Sequence, residues 1–346
     1  MRFCRIGLLL LIPIAFPNPA PGQQTPPANP GKAESQSDAK SGPPAGAENW
    51  QALGDLMSGL ELVTPIVVQN GEQPDFVRQL VRVQWRPNDP IDLWITRPKV
   101  TGKVPVVLYL YNYSDPSDRF HDNGWCKRAT ADGFAAVGFA SALSDYRFKW
   151  RPLRQWFVSE LAESLGSSVH DVQLILNYLA DRGDLDMNRV GMLGMGSGAT
   201  VAILAAYADS RIKTLDLLDP WGDWLNWLKD SPLVPENERS KYLAPQFLES
   251  VVALDPVTLL PSLKTPNIRL QQTVSEPVTP NTSRQRIAAA APERTQIAKY
   301  MSAEDLLKAW KSTGLSGWIK QQMLSQPPTS GGDEGRASLS SNSQSN

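Results

Sequence analysis

Apolar positions in the middle of the chain fall into short continuous runs separated by stripes at helical spacing. Residues 77–85 and 91–96 are rich in Val, Ile, Leu and Trp. The breaker Pro-Asn-Asp-Pro at 87–90 lies between them, which predicts an antiparallel, hairpin-like pair. Residues 104–110 (VPVVLYL) form an almost unbroken apolar run, the signature of a strand buried on both faces. Residues 134–139 (FAAVGF), 190–193 (VGML), 214–218 and 268–273 predict four more strands. Between these runs, 167–182 aligns Val169, Val172, Ile175, Leu176 and Leu179 on one stripe, with Gly183 in the C-cap region. Residues 199–208 are small and apolar and predict a helix able to lie close to a sheet. Residues 303–320 predict an amphipathic terminal helix with a Gly break, docked on the core. Strands alternating with helices imply a mostly parallel central sheet with helices on both faces, preceded here by antiparallel strands.

The ends read differently. Two Arg residues lie in the first five positions, and residues 6–16 (IGLLLLIPIAF) follow as an apolar run. That pattern predicts a secretory signal peptide over 1–22, cleaved near Gly22, and hence a secreted or periplasmic protein. The run is too short and too interrupted by Pro for a stable membrane span, so no membrane insertion is expected after cleavage. Residues 23–49 form a Pro/Ala/Ser-rich stretch without periodicity, and 326–346 a second polar tail; both are expected to be disordered. Residues 50–325 then make up one α/β domain.

Composition narrows the chemistry. Among 346 residues, 34 Lys and Arg face 35 Asp and Glu, so no general attraction to nucleic acid is expected. The chain has 2 Cys and 2 His with no His/Cys pair at ligand spacing, and its acidic residues are scattered, so neither a metal site nor a cofactor is expected. Cys4 lies in the signal region. Cys126 is left without an intrachain partner and is expected to be buried.

The segment Asp184-Leu-Asp-Met-Asn-Arg-Val-Gly-Met-Leu-Gly-Met-Gly-Ser-Gly-Ala-Thr (184–200) resembles the nucleophile elbow of the α/β-hydrolase superfamily. It is similar to the dienelactone-hydrolase and acetyl-xylan-esterase-like branches, whose pattern is Asp-x-x-Arg-[Ile/Val]-Gly-x-x-Gly-x-Ser-x-Gly-Gly. Arg189, Val190, Gly191, Gly194 and Gly198 match it. The resemblance runs from about Pro65 to Tyr300 and implies an α/β-hydrolase fold. It places Gly196, not a serine, at the nucleophile position, between Met195 and Ser197. An elbow holds its central residue in a strained backbone conformation, and glycine keeps that bend while removing the hydroxyl.

The resemblance also implies a histidine downstream of the elbow, yet His121 and His170 both precede it. Residues 265–280 resemble the family's late acid loop, Gly-x-x-Asp-x-Val-x-Pro, with Glu276 at the acid place. After the first long strand, where many relatives carry His-Gly, this chain reads Tyr111-Asn112-Tyr113, and Asn112 is positioned to offer an amide donor to an oxyanion. The expected protein is therefore a hydrolase-fold protein inactive as a serine hydrolase. Its remnant pocket, at Gly196, Met195, Ser197, Tyr111, Asn112, Asp219, Trp221 and Glu276, would bind a small ester or glycan-like ligand.

Two other readings stand beside it. Ser197 could attack as the nucleophile of an active carboxylic-ester hydrolase, assisted by a carboxylate or by His121 or His170 folded into the site. Alternatively, Gly194-x-Gly196-x-x-Ala199 also fits a dinucleotide fingerprint, with Asp216 and Asp219 downstream for a ribose. Trp221, Trp224 and Trp227 recur every three residues. On one helix they would share a broad face, for stacking on a ring or for packing a cap.

Overall fold

The computed structural model describes Leu53 and residues 63–86, 89–113, 117–141 and 157–325. The expected signal peptide (1–22) and the expected disordered segments (23–49 and 326–346) lie outside the described residues. Among the described residues nine strands form a single sheet: β1 (Ile66–Glu72), β2 (Phe76–Val83), β3 (Ile91–Pro98), β4 (Val104–Leu110), β5 (Ala135–Phe139), β6 (Leu185–Met195), β7 (Ile212–Leu218), β8 (Asn267–Thr273) and β9 (Gln296–Tyr300). Their order across the sheet is β1-β2-β3-β5-β4-β6-β7-β8-β9. The first three pairings are antiparallel and the remaining five parallel. This is the expected α/β-hydrolase architecture.

The hairpin predicted around residues 87–90 forms in register from Phe76↔Pro98 to Val83↔Ile91. β4 shows why its sequence carries no polar positions. Val106, Leu108 and Leu110 enter one core, while Val107, Tyr109 and Tyr111 enter the other on the opposite face. A strand in the middle of a sheet covered on both sides has no solvent face.

On the first face lie α2 (Leu161–Ala180) and α3 (Ser197–Ala208); on the second lie α1 (Asn123–Ala129) and the C-terminal helix α7 (Gly317–Leu324). Between them in sequence come α4 (Trp224–Asp230), α5 (Asn281–Ala290) and α6 (Ala303–Thr313). The predicted terminal helix is thus two helices, broken at Gly314 with φ 77°. Cys126 is fully buried against Thr96 and the Phe120 carbonyl. Among the described residues no helix is long and apolar enough to cross a membrane, and no group of His, Cys, Asp and Glu is arranged to hold a metal ion.

Candidate active site

The site is built where β6 ends and α3 begins. Gly196 has φ 52° and ψ −120°, a backbone conformation that a residue with a Cβ adopts only under strain. Its N–H donates to the Leu218 carbonyl at 2.8 Å, fixing the bend to the neighbouring strand β7. The small residues around it permit the sharp turn. A Cβ on Gly198 would lie 2.4 Å from the Leu110 carbonyl oxygen, and one on Gly194 2.5 Å from the Ala199 Cα. Residue 196 therefore stands at the tip of the elbow, and Ser197 opens the helix behind it.

The space above Gly196 is filled by Asn112. A Cβ on Gly196 would fall 2.2 Å from Asn112 Oδ1. That oxygen accepts from the Ser197 N–H at 3.1 Å and from the Tyr113 N–H at 3.0 Å. In an acting hydrolase elbow, the N–H after the nucleophile and an N–H from the loop following the early strand form the oxyanion hole. Here both donors converge on the chain's own carboxamide. The expectation that Asn112 offers a donor is corrected in sign: its oxygen is the acceptor, because two backbone N–H groups already point at that place.

Ser197 is 2 % exposed. Its Oγ accepts from the Tyr113 N–H at 2.7 Å and donates toward Asn112 Oδ1 at 3.4 Å. Among the described residues no imidazole contacts it. His121 packs its ring 4.0 Å from Trp94, and its carbonyl accepts from Arg78. His170 is buried in α2, edge-on to Trp85 at 5.4 Å, and burial pushes its pKa down to about 4. In family order the third triad member follows the acid loop. The turn after β9 holds Met301, which is exposed, and Ser302, whose Oγ caps α6 through the Asp305 N–H.

Glu276 lies in the loop after β8, as its place in the motif implies, and its carboxylate serves its own turn. It accepts from the Val278 N–H at 2.7 Å and the Thr279 N–H at 2.9 Å, and Arg284 bonds the same loop's carbonyls. Asp219, just beyond β7, accepts from the Thr273 N–H at 2.8 Å with φ 44°. Burial, reinforced by the nearby Glu276, raises its pKa to about 6.

Trp221 precedes α4 and is not part of it; Trp224 and Trp227 are on the helix. All three indoles are buried. Trp221 stacks on Trp227 at 5.1 Å, and its backbone is held by Thr200 Oγ1. The reading of these rings as a stacking platform is corrected: they are cap core. Met195 and Tyr111 contribute to the second core beneath the elbow, where the Tyr111 hydroxyl accepts from Trp125 Nε1 at 3.1 Å. The dinucleotide reading is also corrected. Asp216 is fully buried and paired with Arg269 at 2.6 Å and Gln271 at 2.7 Å, Asp219 is bonded to Thr273, and Asn112 covers the first turn of α3.

The sequence profile of the X-Pro dipeptidyl-peptidase (S15) family matches residues 88–326. The chain belongs to the S15 peptidase family. That places it in the α/β-hydrolase superfamily, as the elbow motif implies. A search among curated protein sequences returns no match. Similar solved structures include an acetyl xylan esterase from Paenibacillus sp. R4, with TM-score 0.62 and 16 % identity, covering 79 % of this chain and 92 % of that one. Acetyl xylan esterase 1 from Thermoanaerobacterium sp. JW/SL YS485 gives 0.60 and 13 %, covering 78 % and 92 %. A glucuronoyl esterase from Solibacter usitatus gives 0.50 and 14 %, covering 74 % and 86 %. At these identities the likeness is one of fold.

Proposed function

We propose that this S15-family chain is an exported hydrolase-fold protein that has lost serine-hydrolase turnover and works by binding. One observation carries the reading. The Asn112 carboxamide occupies the space a nucleophile's side chain would need, and both oxyanion-type N–H groups donate to it. A carbonyl substrate entering there would have to displace an acceptor already bonded twice. The Ser197 hydroxyl receives the Tyr113 N–H, and no base contacts it among the described residues.

The ligand we assign is a small ester or glycan fragment at the C-terminal edge of the sheet, where ligands bind in open α/β folds. With Trp221 in the core, such a ligand would be held by polar groups and not by ring stacking. Export rests on the charged and apolar pattern of residues 1–22. The test is turnover of p-nitrophenyl acetate and of an X-Pro p-nitroanilide by the purified mature protein. Rates equal to those of the Ser197→Ala variant and of buffer are expected. Turnover that vanishes in Ser197→Ala would overturn the proposal. Mass spectrometry of the protein recovered outside the cytoplasm should find a chain starting near Gln23.

A further inference from the structure

The elbow shows what kind of group its two donors take, because one is already there. Asn112 Oδ1 accepts from the Ser197 N–H at 3.1 Å and from the Tyr113 N–H at 3.0 Å. These two holds are unequal. The Tyr113 N–H also donates to Ser197 Oγ at 2.7 Å, so it keeps a partner when the carboxamide leaves, whereas the Ser197 N–H does not. At the other end of the carboxamide, Asn112 Nδ2 makes no hydrogen bond among the described residues, and the residue is only half-buried.

The backbone beneath Asn112 is fixed by contrast. Gly198 packs so closely on it that a Cβ there would lie 2.4 Å from the Leu110 carbonyl oxygen and 2.6 Å from that of Tyr111. Exchange at the elbow is therefore a rotation of one side chain and not a loop movement. Charge decides what replaces the carboxamide. Ser197 opens the 12-residue helix α3, so the acceptor lies at the positive end of the helix dipole. A carboxylate there forms charge-assisted bonds, roughly twice as strong as those of a neutral acceptor. An ester or amide carbonyl offers the donors nothing that Asn112 does not already supply. The chain's own carboxylates from the late loops are engaged elsewhere: Asp219 accepts from the Thr273 N–H, and Glu276 from N–H groups of its own loop.

We propose that the Asn112 side chain is a removable plug: a small carboxylate displaces it and takes both N–H donors, while the corresponding neutral ester or amide is turned away. This rests on the reading of the elbow as a binding site without turnover, and it narrows the ligand to a fragment that carries a carboxylate. The plug thus holds the elbow closed until a charged acceptor arrives.

Amide NMR titration of the nitrogen-labelled full mature protein with propionate, propionamide and methyl acetate tests this. Propionate should shift the Ser197 and Tyr113 amide signals saturably, with the two neutral compounds at least about tenfold weaker. Asn112→Ala removes the competitor and should tighten propionate about tenfold, since the parent's affinity is reduced by the fraction of molecules whose plug is out. Asn112→Asp places a charged acceptor of the same size on the same two donors and should abolish propionate binding. Being nearly isosteric, it keeps the test open if Asn112→Ala fails to fold. No saturable shift of these two amides by propionate in the parent, propionamide bound as tightly as propionate, equal affinity in the parent and Asn112→Ala, or unchanged binding in Asn112→Asp would overturn the proposal. Such a failure leaves the absence of turnover standing, whereas turnover lost in Ser197→Ala would remove the reading on which the plug rests.

Discussion

A Cβ on residue 196 would stand 2.2 Å from Asn112 Oδ1, on a backbone with φ 52°. Gly196→Ser therefore carries two costs: backbone strain of about 1–3 kcal/mol, and the expulsion of Asn112 from its two backbone donors. Asn112→Ala alone should destabilise by about 1–3 kcal/mol, because the Ser197 N–H loses its acceptor in a buried place. Together the two changes should cost less than their sum, since the second removes the clash created by the first. Urea denaturation of the two single variants and the double variant measures this coupling, and strict additivity would argue against Asn112 filling the elbow. The sequence made the missing hydroxyl legible, because Gly196 falls on the motif's serine. It did not make the role of Asn112 legible: that role depends on a contact across 84 positions, and a carboxamide carries both a donor and an acceptor.

Strands buried on both faces were the most legible elements, because β4, β5 and the end of β6 have no polar positions to obscure them. β1 was not legible. Its side chains are exposed on both faces, including Ile66, Val67 and Val68, so no alternation marks it. β9 was missed for a similar reason, since Gln296–Tyr300 is half polar and lies at the other edge of the sheet. The Gly break in the terminal amphipathic segment was visible, but not that the second half would form part of the core. Ile319 in α7 is fully buried and belongs to the second cluster with Tyr109 and Leu193. Ile319→Ala should therefore destabilise the protein by about 2–5 kcal/mol. Replacing Leu324, the exposed last residue of α7, should cost within about 0.5 kcal/mol. Equal effects in thermal melts would mean that α7 is not docked as described.

At the scale of the whole molecule, two buried groups act on stability in opposite directions across the acid range. His170 has its pKa lowered to about 4 from 6.5. Between those values the unfolded chain binds a proton that the native protein does not, so stability falls as the pH drops through this window. Asp219 has its pKa raised to about 6 from 3.8. Between those values the native protein binds the extra proton, so stability rises as the pH drops. Each shift corresponds to roughly 3 kcal/mol, and the two nearly cancel between pH 4 and 6. Asp219→Asn should therefore lose stability on acidification from pH 6 to 4 more steeply than the parent, and His170→Asn should gain stability relative to the parent over the same interval. Denaturation midpoints at pH 4, 5 and 6 for the three proteins check both signs. Parallel curves would show that neither group titrates as its burial implies.

The central claim, that an S15-family fold stands here without an attacking group, is tested most directly by exposing the purified mature protein to a fluorophosphonate and weighing the intact chain. The account predicts an unmodified mass after prolonged exposure, because no serine stands at the elbow tip and the Ser197 Oγ is held by the Tyr113 N–H. A single stoichiometric adduct, mapped to Ser197 by peptide sequencing and absent from Ser197→Ala, would contradict it.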